Sequence, residues 1–163
     1  MKGQKHFLLS EKIRLKNYKN WNSYTFRQKQ SWIERRLYHL RKAAYAGQPE
    51  AQFSLACFYE YGVYIDGHFY LNKKTKMIYW MRRAADALWP DAAEHMAMLY
   101  ETHPRIQNLK QAKIYYELYD ELIGAKMSKN RKLFLKQLKK GAFIKDDNGY
   151  YKLAEDWKER LKE

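Results

Sequence analysis

Apolar positions recur along most of this chain with the period of an α-helix. Leu37, Leu40 and Ala44 are spaced i, i+3, i+7, one stripe of a 3.6-residue period. Gln48-Pro49 breaks that stripe, and proline suits the first turn of a new helix. Ala51, Leu55 and Phe58 form a second stripe, which Gly62 closes as a C-terminal cap. The arrangement then recurs as Ile78, Met81 and Ala85, Trp89-Pro90-Asp91, and Ala92, Met96 and Leu99. A further helix is predicted from Asn108 to Gly124, with Asn108 as its cap and Ala112, Tyr115, Tyr119 and Leu122 as its stripe. Ser128 and Gly141 bracket another, Lys129 to Lys140, whose apolar pair is Phe134 and Leu138. Asp146-Asp147-Asn148-Gly149 is a turn signal. After it, Tyr150, Leu153, Ala154, Trp157 and Leu161 predict a final amphipathic helix that caps the array. The start is less regular. Leu9 and Ile13 allow a short helix, Asn17 to Phe26 has no period, and Thr25 with Gln28 has capping-box spacing for a helix through Trp32, Leu37 and Leu40.

The chain repeats itself. Residues 36–60 placed over residues 77–101, an offset of 41, match at 10 of 25 positions. The matches are Tyr38/Tyr79, Arg41/Arg82, Ala43-Ala44/Ala84-Ala85, Ala46/Ala87, Pro49/Pro90, Ala51/Ala92, Ala56/Ala97 and Tyr59-Glu60/Tyr100-Glu101. A fixed period of this length is the signature of stacked helix pairs. Alanines at matched positions allow the helices to approach closely, and Tyr59 and Tyr100 close the base of each pair. Tyr115 and Tyr116 are adjacent, so one core is not expected to take both.

The run from Ala43 to Gly62 (AAYAGQPEAQFSLACFYEYG) resembles the core of a Sel1-like repeat, and so does Tyr79-Trp80-Met81-Arg82-Arg83-Ala84-Ala85. The resemblance covers residues 36–124. It departs from the family pattern in three places. Gly62 is followed by Val63-Tyr64-Ile65-Asp66, opening a longer loop that runs through Gly67 to Leu71. Leu88 stands where the inter-helix glycine belongs. His103-Pro104 replaces the loop glycine. The resemblance implies an all-α fold, a short α-solenoid of antiparallel helix pairs similar to tetratricopeptide repeats, with a C-terminal capping helix. It implies an adapter that binds other proteins and performs no chemistry of its own. Bacterial members include signalling scaffolds, secretion-associated factors and immunity proteins that neutralise toxins. One domain is expected over residues 1–163: a basic N-terminal segment 1–30, repeats over 31–124, and a basic helix with the capping helix over 125–163.

Charge sharpens this picture. Thirty-two Lys and Arg against 18 Asp and Glu give +14. Residues 1–42 hold 12 basic and 2 acidic side chains, residues 43–105 hold 6 and 7, and residues 106–163 hold 14 and 9. Both ends are basic and the middle is neutral. Lys126, Lys129, Arg131, Lys132, Lys136, Lys139, Lys140 and Lys145 follow one another with no acid among them. Such a field attracts an acidic protein surface, nucleic acid or anionic lipid. Tyr64, Phe69 and Tyr70 in the extended loop are aromatic anchors of the kind that protein interfaces use. Tyr18, Trp21, Tyr24 and Phe26 lie in a basic stretch, where rings can also stack on bases.

The residues for catalysis are not assembled in the sequence. There is no glycine-rich phosphate loop, no zinc motif and no nucleophile elbow. His6, His39, His68, His95 and His103 do not pair at helical spacing. Cys57, the single cysteine, excludes an internal disulfide and reads as a core thiol. No apolar run reaches the ~20 residues of a membrane span, so no stable membrane insertion is expected. Phe7-Leu8-Leu9 is too short for a signal-peptide core, and a reduced, cytoplasmic setting is the default. The expected function is therefore a non-enzymatic protein-interaction module without cofactors. Its partner would present an acidic face to Lys126, Lys129, Arg131, Lys132, Lys136, Lys139 and Lys140 and to the loop aromatics. The alternative is a nucleic-acid binder using its basic ends.

Overall fold

A computed structural model describes residues 2–18, 20–65, 68–70 and 72–162, with the side chains of residues 2, 18, 64, 65 and 68–70 outside the description. It is mostly helical, with sequence neighbours paired in space. Contacts divide it into two compact units, Met1–Ala92 and Ala93–Glu163.

The first unit contains α1 (Lys2–Tyr18), a 3-10 turn (Trp21–Ser23), α2 (Phe26–Tyr45), α3 (Pro49–Tyr61), a hairpin of β1 (Val63–Ile65) and β2 (His68–Tyr70), α4 (Lys74–Asp86) and the first residues of α5 (Pro90–Thr102). The loop expected after Gly62 is thus a two-stranded antiparallel hairpin with Val63 opposite Tyr70. From α1 to α4, each helix packs antiparallel on the one before it. Glu11 of α1 meets Arg36 of α2 while Gly3 approaches Ala46. The Gln52 amide of α3 donates to the Ala44 carbonyl of α2. Phe53 of α3 faces Trp89, while Lys76 of α4 lies over Tyr59. This is a solenoid-like succession, made possible because the residues between helices are completely buried and small: Ala43, Ala44, Ala51, Ala56, Ala84 and Ala85. Leu40, Leu55 and Met81 fill the space that they leave.

The Thr25–Gln28 capping box opens α2 as its spacing predicts. The N-terminal segment carries more than the short helix expected: α1 runs for 17 residues and buries Gly3, Phe7, Ser10 and Asn17.

The second unit contains the rest of α5, then α6 (Leu109–Leu122), α7 (Lys129–Lys139), the antiparallel hairpin of β3 (Phe143–Lys145) and β4 (Tyr151–Leu153), and α8 (Trp157–Arg160). Asn108 and Ser128 cap α6 and α7 through their side chains, as expected. Tyr115 and Tyr116 are both buried, contrary to the expectation from their adjacency. They use opposite flanks of α6: Tyr115 lies on Tyr100 of α5, Tyr116 lies on Phe134 of α7, and the Tyr116 hydroxyl donates to Glu101 at 2.7 Å.

The helix expected from Tyr150 to Leu161 survives only as the single turn of α8. Asp146 explains the difference. Its carboxylate accepts from the backbone N–H of Asn148 and of Tyr150, and Gly149 takes φ 80°, so the chain reverses. The returning strand is then held by Gln107, whose side-chain amide bonds both the N–H and the carbonyl of Tyr151. A side chain here completes a backbone ladder, and that outweighs the helical spacing of the apolar residues.

Four helices end in the same motif. After α2, α4, α6 and α7 the residues Gly47, Leu88, Gly124 and Gly141 take φ of 86°, 63°, 66° and 59°. Each donates to a carbonyl three residues back, and the following residue donates to one five back, as Trp89 does to Ala84 at 3.0 Å. This is the Schellman ending, which strongly favours glycine at the left-handed position. Leu88 adopts it without being glycine, so the repeat geometry is kept against a side-chain cost of about 1–2 kcal/mol. Leu88 is 58% exposed, so its burial contributes little in return. Leu88→Gly is therefore expected to raise stability by about 1 kcal/mol, after the added entropy of glycine in the unfolded chain is set against the relieved strain. A midpoint of urea unfolding that falls instead of rising would contradict this reading.

Candidate interaction surface

The amphipathic period of α7 decides which residues face water. Phe134 and Gln137 are buried. Lys129, Lys132, Lys136 and Lys139 fall at i, i+3, i+7 and i+10 and are exposed, forming one stripe along the helix. Lys126 is exposed just before it, and Lys140, the C-cap residue, is half-buried. None of these lysines has an acidic partner among the described residues. Lys129 lies in the first turn, where the helix dipole opposes a cation, and that turn has no acid. The stripe thus runs past the position where it would help the helix.

Arg131 belongs to the same acid-free stretch of sequence but not to the same surface. Its guanidinium bonds Glu117 at 2.7 Å and Asp120 at 3.1 Å, both on α6. Asp120 in turn accepts the backbone N–H of Ser128 at 2.9 Å. Burial pushes the Asp120 carboxyl up, but the bonds from Ser128 and Arg131 outweigh it and hold the group below the usual carboxylate range. Arg131 therefore joins α6 to α7, and the free cations are the lysines. Of the loop aromatics, Tyr64 lies on β1 and Phe69 and Tyr70 on β2, with Tyr64 opposite Phe69; their side chains lie outside the described residues, as does that of Tyr18.

A second exposed face was not anticipated. On α2, exposed Tyr38 carries Lys42 over its ring, and on α4 exposed Tyr79 carries Arg83 in the same i, i+4 relation, each at 5.7 Å. The positions differ by 41, so the repeat preserves this outward pair as well as the core. The matched Tyr38/Tyr79 was the available signal, since its neighbours Leu37, Leu40, Met77 and Met81 are buried.

The histidines hold one surprise. His6 of α1 and His39 of α2 lie with their Nδ1 atoms 3.0 Å apart and their rings stacked. Such a pairing across 33 residues leaves no trace in helical spacing. His103 lies beyond the end of α5, its Nδ1 accepting from the Arg105 N–H. Cys57 is half-buried, and burial, with Glu60 adding to it, pushes its thiol up to about 11. It is a protonated thiol at neutral pH and a poor nucleophile. Among the described residues, no three His, Cys, Asp or Glu side chains gather as a metal would require, and no helix is long and apolar enough to cross a membrane.

Comparison with protein-family models, with curated proteins and with solved structures finds no match to this chain.

Proposed function

We propose that this chain is a non-enzymatic interaction module of Sel1-like helix pairs that docks the lysine stripe of α7 against an acidic protein surface. The observation that carries the reading is the stripe itself: four exposed lysines on one face, unpaired among the described residues, continuing into the turn where the helix dipole disfavours them. Complementary charge of this kind sets association rate and partner choice. A bacterial adapter, a regulator or a toxin-neutralising immunity protein are its concrete forms, and a reduced cytoplasmic setting agrees with the lone thiol.

Changing Lys132, Lys136 and Lys139 together to Glu is expected to weaken partner binding by about 100-fold or more. The cost to folding should stay near 1–2 kcal/mol, because two of the three lie in the last turn, where a carboxylate opposes the dipole. The partner is first captured from the native host with the unaltered chain, with and without nuclease, and identified by mass spectrometry. Affinity is then measured by calorimetry. A triple variant that binds as tightly as the parent removes α7 from the interface. The exposed Tyr38–Lys42 and Tyr79–Arg83 pairs favour a second reading, nucleic-acid binding, since rings beside cations can stack bases. Loss of every partner on nuclease treatment would favour that reading over the first.

A further inference from the structure

A cavity of about 560 Å³ opens between α1, the 3-10 turn, α2 and α3 in the first unit. Its walls include Trp21, Trp32, Ile33 and Phe58, none of which is fully buried. A space of that volume with aromatic walls is of small-ligand size. Two polar groups on its lining are incompletely used. Asn17 is 4% exposed and donates through Nδ2 to the Ile13 carbonyl at 2.6 Å, so its Oδ1 is the free acceptor, and that atom is buried without a partner among the described residues. Arg36 lies over the Phe58 ring at 4.5 Å and reaches Glu11 through Nη2 at 3.3 Å, while its Nε is buried without a partner among the described residues. A buried polar atom left without a partner carries a desolvation cost that a ligand group would relieve.

The charge around the cavity is one-sided. Arg14 also lines it and shares the same Glu11 carboxylate at 2.6 Å, so two guanidiniums face one acid. Lys29 stands over Trp21 and Arg35 over Trp32, adding two more cations behind the walls. The lining therefore offers aromatic walls, one buried acceptor, one buried charged donor and an excess of positive charge. Its complement is an aromatic body carrying an N–H donor and an anion.

We propose that this cavity binds an aromatic amino-acid unit with a free carboxylate. The ring lies against the walls that Trp21, Trp32 and Phe58 supply, the N–H of the α-nitrogen donates to Asn17 Oδ1, and the carboxylate accepts from Arg36 Nε with Arg14 nearby. The unit is supplied either singly or as the carboxyl end of a peptide. The site lies in the first unit and does not depend on the lysine stripe.

The test is calorimetry with N-acetyl-L-phenylalanine, with its primary amide and with N-acetyl-L-alanine, together with backbone and indole chemical-shift mapping. The acid is expected to bind with a Kd between about 0.01 and 1 mM and to shift the indole signals of Trp21 and Trp32. The amide and the alanine compound should each bind about tenfold more weakly or worse, because one loses the charge and the other the ring. Asn17→Leu keeps the volume, removes the acceptor and should cost about tenfold in affinity. Should that variant fail to fold, Trp32→Leu replaces it with the same expected loss. An acetylated tetrapeptide ending in phenylalanine separates the two sources: tighter binding than the single unit assigns the site to a chain end, and equal or weaker binding assigns it to the single unit. The proposal is overturned by no binding of the acid at about 5 mM, by an amide that binds as well as the acid, or by shifts that lie away from the cavity.

Discussion

Asp120→Ala is expected to destabilise the chain by about 3–5 kcal/mol, the range for removing one partner of a buried ion pair. Asp120 is 2% exposed and performs two tasks at once. One oxygen accepts the Ser128 N–H and so fixes the entry of α7, and the other accepts from Arg131. Without it, Arg131, 18% exposed with its Nε already lacking a partner among the described residues, keeps among them only the more exposed Glu117. Asp120→Asn keeps an acceptor for Ser128 and loses the charge, so it should cost less. The pH dependence has a definite sign. The folded carboxyl lies below its ordinary value, so the unfolded chain binds more protons as pH falls through about 4. Its stabilisation is complete above that range and disappears as pH falls through the folded value. Urea unfolding of the parent and of Asp120→Asn between pH 6 and pH 3, roughly the carboxylate range, should show a shallower acid loss in the variant. A cost below about 1 kcal/mol for Asp120→Ala would mean that this network does not hold α6 to α7.

The same network shows where sequence reasoning reaches its limit. The helices of the repeat were legible because half of its identical residues are ones the fold buries: Ala43/Ala84, Ala44/Ala85, Ala51/Ala92, Ala56/Ala97 and Tyr59/Tyr100. The caps at Thr25, Asn108 and Ser128 were legible because capping is a local bond within three residues. The lysine stripe followed from spacing on α7. Arg131 did not, since its acids lie 11 and 14 residues away on another helix, and a stretch free of acids in sequence is not free of them in space. The packing of α1 was hidden for a different reason. Its buried face includes Gly3, Ser10 and Asn17, which carry no apolar signal, while Leu8 and Leu15 point outward. The cavity combines both difficulties, because its free atoms belong to Asn17 and Arg36, residues that a hydrophobic pattern treats as surface.

Ala85→Trp is expected to unfold the first unit outright. Ala85 has no exposed surface, and neither does Ala44 at the matching position. Each also supplies a carbonyl to the ending of its helix, Ala44 to Gly47 and Ala85 to Leu88, and Ala44 further accepts the Gln52 amide. A larger side chain therefore has no open space to enter at a position held by the helix ending. Single added methylenes in such places cost about 1–3 kcal/mol. An indole exceeds that several-fold in volume, and its cost approaches the whole stability of a domain, about 5–15 kcal/mol. Ala87 separates burial from sequence identity. It matches Ala46 in the repeat yet is exposed, so Ala87→Trp should change stability by no more than about 0.5 kcal/mol. Circular dichroism melts of the two variants beside the parent decide the matter. A folded Ala85→Trp with a melting point near that of the parent would show that the helices meet on other faces, and the repeat would then report something other than the core.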